Sequence, residues 1–163
     1  PGAPIEPTGD PMLAAVGPGA YAQRQHVVDK MIDGSPKIAP MRVAKAFSVE
    51  ARDGDPRGYD VVAADRRVAG KITDIWVDKS ETIIRYLEAD VAGGRRVLIP
   101  MTFARVDKRR GRVQVDAILA HQFANVPVTD SPDQVTLLEE DKISAYYGAG
   151  TLYAEPKRAE PLL

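Results

Sequence analysis

The sequence predicts a mainly β protein with one C-terminal α-helix: a small antiparallel β-barrel preceded by an extended strap rich in proline and glycine. Three observations carry this expectation. Apolar residues alternate with period two between about residues 42 and 118. Clusters of Gly, Asp and Pro interrupt that stretch at short intervals. A helix-start pattern followed by two glycines lies near the end of the chain.

The strap comes first. Residues 1–41 contain Pro1, Pro4, Pro7, Pro11, Pro18, Pro36 and Pro40, and proline at this density supports neither helix nor interior strand. Such a segment is expected to lie along a surface. The strands follow. In "TIIRYLEADV" one face carries Ile83, Arg85, Leu87, Ala89 and Val91, and the other Ile84, Tyr86, Glu88 and Asp90. "RVLIPMTF" aligns Val97, Ile99, Met101 and Phe103, and "GRVQVDAI" aligns Val113, Val115 and Ala117. The turns are "DGDPRG" at 53–58, "AGGRR" at 92–96 and "DKRRGR" at 107–112. Pro100 inside an apolar run marks a sheet edge or a bulge. The helix is expected near 132–147, with Ser131 and Gln134 as a capping box, Pro132 at the first helical position, and Gly148 and Gly150 as the stop. Its apolar stripe is Val135, Leu138, Ala145 and Tyr146, which leaves Glu139, Glu140 and Lys142 to solvent. The tail "EPKRAEPLL" reads as irregular.

Composition narrows the function. The chain has 163 residues, enough for one domain with tails, and a hydrophobic fraction of 44%, which argues against wholesale disorder. Lys+Arg is 22 against Asp+Glu 23, a formal net charge of -1, which removes the broad electrostatic footprint of a nucleic-acid protein. With no Cys there is neither a disulfide scaffold nor thiolate chemistry. No apolar run approaches the ~20 residues of a membrane span. There is no start Met and no leader pattern, as expected of a piece of a longer chain.

Few residues suggest catalysis. The two histidines, His26 and His121, are far apart in sequence and neither has a neighbouring ligand type, so no zinc set is expected. There is no G-x-S-x-G, no Ser/His/Asp grouping and no phosphate loop. The basic "DKRRGR" segment suits either a charged hairpin tip or a phosphate contact. More informative is "GKITDIWVDKSETIIRYLE", residues 70–88, where Asp74, Asp78, Glu81 and Glu88 surround a polar connection. Carboxylates partly removed from water beside a charge-changing site exchange protons at working pH; elsewhere they are ordinary turn residues.

Several blocks resemble, in order, the H subunit of purple-bacterial photosynthetic reaction centres. They include "PTGDPM" (7–12), "KIAPMRVAKAFSV" (37–49), "AGKITDIWVD" (69–78), "RYLE" (85–88), "LIPM" (98–101), "FANVP" (123–127) and "SPDQVTLLEEDKISAYYGAGTLYAEPKRAEPLL" (131–163). The resemblance implies a PRC-barrel fold and a non-catalytic role. In that family the subunit caps the cytoplasmic face of the L and M subunits and carries part of the proton path to the secondary quinone, which takes up two electrons and two protons.

By motif position the resemblance assigns proton transfer to Glu81 and Asp78, with Arg85 balancing their charge. Asp33 is the candidate for proton uptake at the surface. In some relatives two histidines stand in that surface segment; here it reads "MIDGSPKIAPM", without imidazole, so no metal site is expected. The chain itself is expected to bind no cofactor: bacteriochlorophyll, bacteriopheophytin, quinones and non-haem iron belong to the L and M subunits. The implied partners are those two subunits and lipid headgroups, with a cytochrome subunit and the light-harvesting antenna as further candidates and no nucleic acid. The implied location is the cytoplasmic face of the photosynthetic membrane, anchored by an N-terminal helix this sequence does not contain. The strap would then lie over L and M, which would satisfy its backbone groups. The alternative is an RNA-binding adaptor in ribosome maturation, since PRC-barrels also occur there; it would use the basic tip.

Overall fold

The computed structural model describes residues 9–15, 17–21, 24–50 and 52–159. Seven strands form one sheet: β1 Ile38–Pro40, β2 Asp60–Val62, β3 Val68–Asp78, β4 Ile83–Val91, β5 Arg95–Pro100, β6 Arg105–Asp107 and β7 Arg112–Gln114. Their order is β5-β4-β3-β2-β7-β6, and β1 pairs with the far end of β3. The two ends of this path, β5 and β6, are joined by Met101–Ala104 alone. Five peptide links span at most roughly 18 Å, so the sheet must curl until its edges approach, which makes it barrel-like. The predicted antiparallel pattern holds at every pairing but one: β2 and β7 run parallel, a consequence of that curling. Pro100 is the last residue of the edge strand β5, where its missing N–H costs no ladder bond. Beyond it Met101–Phe103 coil into a 3-10 turn, so the expected strand face through Phe103 stops short.

Val61, Ile75, Leu87, Ile99, Val113, Ile118, Ile143 and Tyr147 are fully enclosed. Burial of each such side chain contributes about 1.5–3 kcal/mol. Tyr147 ties the helix to the sheet. Its ring lies 5.8 Å from Phe103 and 6.2 Å from Phe123, and its hydroxyl donates to the Leu98 carbonyl at 3.1 Å.

The helix, α1 Leu137–Tyr153, begins and ends about five residues later than the sequence suggests. Thr136 is the N-cap. Its hydroxyl accepts from Glu139 N–H at 3.1 Å, and the Glu139 carboxylate accepts from Thr136 N–H at 2.8 Å. Ser131 and Pro132 lie in a bend upstream. The second box wins because the Glu139 carboxylate offers two acceptor oxygens where a Gln134 amide offers one: one takes Thr136 N–H and the other the Asp130 N–H at 2.7 Å. Glu139 is therefore buried, not solvated. Gly148 and Gly150 lie inside the helix; Gly150 sits where a Cβ would collide with the Ala117 carbonyl and the Ile118 side chain. The tail is partly ordered: Pro156–Ala159 form a 3-10 turn, and Arg158 donates to Ala117, Gly150 and Asp116 carbonyls. Residues 160–163 lie outside the described residues.

The described part of the strap packs on its own chain. Met12 is buried, Gly19 packs against Ala145 and Ala149 of α1, and Leu137 N–H donates to the Val27 carbonyl at 2.9 Å. The strap's last residues are β1, paired with β3, so a boundary at residue 41 cuts off a strand of the sheet. Residues 1–8 lie outside the described residues.

Candidate functional site

The β3–β4 hairpin carries the site. Ser80, Glu81 and Arg85 follow Asp78 within seven residues, so a tight connection alone returns them to it. Asp78 is 1% exposed. Its Oδ1 accepts from Ser80 Oγ at 2.6 Å, Ser80 N–H at 2.9 Å and Glu81 N–H at 3.2 Å. Its Oδ2 accepts from Arg85 Nε at 3.3 Å and Nη2 at 3.2 Å. The Arg85 Nη2 also donates to Glu81 Oε2 at 3.2 Å, and the Glu81 side chain is 56% exposed. One guanidinium thus bridges a buried carboxylate and an exposed one. Lys37 Nζ lies 3.8 Å from Asp78 on the other side.

Asp33 joins this group through the strap. Its Oδ1 accepts from Ser35 N–H at 2.9 Å and Ser35 Oγ at 2.6 Å. The Lys79 ammonium donates to Ser35 Oγ at 2.9 Å, and Lys79 N–H donates to the Lys37 carbonyl at 2.9 Å. The structure therefore brings all four sequence-assigned residues, Asp33, Asp78, Glu81 and Arg85, to one corner.

Two of these carboxylates are held acidic. Burial by itself would raise the Asp78 carboxyl. The Ser80 hydroxyl, the N–H groups of Glu81 and Ser80, and the Lys37 ammonium outweigh it and hold the group below the usual aspartate range. The Ser35 hydroxyl and N–H lower Asp33 in the same way. Both are fixed anions at neutral pH, better suited to orienting cations than to carrying protons. For Asp78 the folded value lies below the unfolded one of about 4. Its stabilising contribution is complete above about pH 5 and is lost as pH falls through the depressed value. The gap in melting temperature between wild type and Asp78→Asn is expected to be constant near neutrality and to shrink in acid. A gap that persists unchanged to the lowest folded pH would contradict this.

A second constellation was not legible as such in the sequence. Asp74 and Glu88 are 4% and 1% exposed, and both bind Arg42. Arg42 Nη1 donates to Asp74 Oδ2 at 3.1 Å and to the two Glu88 oxygens at 2.9 and 3.0 Å. The Thr73 hydroxyl (2.6 Å) and Trp76 Nε1 (3.2 Å) complete the Glu88 carboxylate. Arg42 Nε donates to Asp133 at 3.1 Å. Every donor and acceptor here is engaged, so this is an internal strut, not a proton site.

A third is the pair Tyr86–Glu140. The Tyr86 hydroxyl donates to Glu140 Oε1 at 2.8 Å. Burial raises the Glu140 carboxyl above its usual value, and the Tyr86 hydroxyl, Arg24 and Arg85 offset this only in part. The sequence places Glu140 among solvated residues. In the structure it is half-buried beside β4 and the strap.

His26, expected to have no ligand partner nearby, meets Asp130 at 2.9 Å, with Glu139 adjacent. Both Glu139 oxygens already accept backbone N–H bonds, and the start of α1 disfavours a cation. This cluster reads as a His26–Asp130 contact beside a cap. The basic hairpin tip between β6 and β7 is partly neutralised: Arg110 and Arg112 face Asp107, and Lys108 donates to the Arg52 carbonyl. Among the described residues, no helix is long and apolar enough to cross a membrane.

A curled seven-stranded sheet flanked by one helix, with its charged hairpin corner, defines a PRC-barrel module; residues 48–122 match the PRC-barrel domain family. Residues 1–43 match the photosynthetic reaction centre H-chain N-terminal region. Together the two matches, one on each part of the chain, support a reaction-centre H subunit. The chain is a subunit of a membrane-associated photosynthetic complex, and it associates with other reaction-centre subunits.

Proposed function

We propose that this chain is a non-catalytic cap on the cytoplasmic face of the L and M subunits, and that its β3–β4 hairpin hands protons toward the secondary quinone site they hold. The observation that carries this reading is the Arg85 bridge between buried Asp78 and exposed Glu81. A negative charge formed in a low-dielectric site needs compensating protons, and these must cross a protein layer from water. Glu81, half in water and hydrogen-bonded to Arg85, is the carboxylate of this corner that touches both solvent and the Arg85–Asp78 pair. Asp78 keeps Arg85 in place. The quinone supplies the redox chemistry on the partner subunits; this chain holds, screens and delivers protons at Glu81.

In assembled reaction centres, Glu81→Gln is expected to slow proton-coupled transfer of the second electron about a hundredfold, the lower end of what a lost proton-transfer group costs. Stability should change by less than about 1 kcal/mol, because the pair is exposed. Flash spectroscopy across pH measures the first and thermal melting the second. An unchanged rate with an unchanged pH profile would remove Glu81 from the path.

A further inference from the structure

A polar cleft of ≈ 360 Å³ lies between the strap, β4 and α1, and Asp78 and Arg85 line one part of it. Tyr86 and Glu140 line the same cleft, as do Asp141 and Arg24. Asp141 adds an unusual feature: its Oδ2 is buried with no hydrogen-bond partner among the described residues, while Oδ1 only reaches Arg24 at 3.5 Å. Acids and bases from four elements therefore face one another across a space accessible to water.

We propose that the Tyr86–Glu140 pair is a proton-loading site that feeds the Asp78–Arg85–Glu81 corner through this cleft. The inference rests on the reading that the corner delivers protons. Within it the roles divide by chemistry. Tyr86 is a fixed donor: burial, and then the Glu140 carboxylate, raise its hydroxyl far above the usual tyrosine range, so it never gives up its proton. Glu140 is the group that changes state. A proton from cleft water adds to the carboxylate, with Tyr86 still donating to Oε1, and leaves again to cleft water on the Arg85 side. Arg24 from the strap and Arg85 from β4 favour the charged form of Glu140, whereas Asp141 beside it on α1 disfavours that form. Lys37 and Asp29 of the strap, and Asp78 of β3, complete the titratable lining. Asp78, held ionised, is unsuited to this step, so the cleft sets an acid tuned toward protonation opposite a fixed anion.

Two measurements test the proposal. The first is the carboxyl carbon resonance of Glu140 followed against pH in the full chain. The titration midpoint is expected above the ordinary glutamate range, and Tyr86→Phe, which deletes a donor to the charged form, should move it higher still. A midpoint in the ordinary range that Tyr86→Phe leaves in place would overturn the assignment. The second is the pH profile of second-electron transfer in assembled reaction centres. Glu140→Gln, which keeps an acceptor for the Tyr86 hydroxyl, should lower the rate about threefold or more above the Glu140 midpoint and much less below it. If Glu81→Gln slows transfer while the Glu140→Gln profile overlays the wild type, the loading site is wrong and the delivery reading stands. If neither variant changes the profile, both fall.

Discussion

Arg42→Met is expected to lower stability by about 3–5 kcal/mol, the cost of breaking a buried ion pair and leaving its partners charged. Here one side chain hydrogen-bonds two enclosed carboxylates, and the only other ion pair either makes among the described residues is that of Glu88 with Arg96 at 3.7 Å. Without the guanidinium, Glu88 keeps Thr73 and Trp76 as donors and a longer ion pair to Arg96 at 3.7 Å, and Asp74 Oδ2 keeps only the Arg42 backbone N–H. The Arg42 bonds to Asp133 and the Pro132 carbonyl also go, so the segment leading into α1 loses its tie to the barrel. Urea unfolding of the wild type and the variant measures the loss. Adding Glu88→Gln to Arg42→Met should recover part of it, because one stranded charge is removed. A single variant within about 1 kcal/mol of wild type would show that water reaches these carboxylates and that the strut is not dry.

Gly150→Val should cost about 3 kcal/mol, at the upper end for overpacking in a core that cannot relax. The obstruction is the Ala117 carbonyl, a backbone atom, together with Ile118. The same carbonyls of Ala117 and Gly150 receive Arg158, so pushing α1 away from the 116–118 segment also loosens the tail. Valine's helix propensity exceeds that of glycine by only a few tenths of a kcal/mol, too little to offset the clash. Calorimetry of the variant should show a lower melting temperature. An equal or raised value would mean that α1 slides freely on the barrel.

The first of these sites was hidden from sequence reasoning and the second was misread by it, for different reasons. Arg42 meets Asp74 and Glu88 across 32 and 46 residues; no periodicity signals a partnership at that separation. Gly150 was visible, but glycine late in an apolar helix suits either a stop or a close approach, and only the position of Ala117 selects the second. Glu140 shows the same limit. Its neighbours in sequence make it a solvated helix residue, and the strap beside it is set by contacts more than a hundred residues away, such as Arg24 with Asp141. The Asp78–Glu81–Arg85 corner was legible because its groups lie within one hairpin, where local geometry decides who meets whom.

The sequence by itself determined the strand alternation, the turns, the single C-terminal helix, the edge position of Pro100 and the hairpin carboxylates, since each depends on residues close together along the chain. Tertiary structure alone decided the parallel β2–β7 pair, the true start of α1, the Arg42 strut and the cleft around Glu140. In all four, the free energy of a distant contact (a buried charge satisfied, an edge closed, a cap completed twice) outweighs what local propensity prefers.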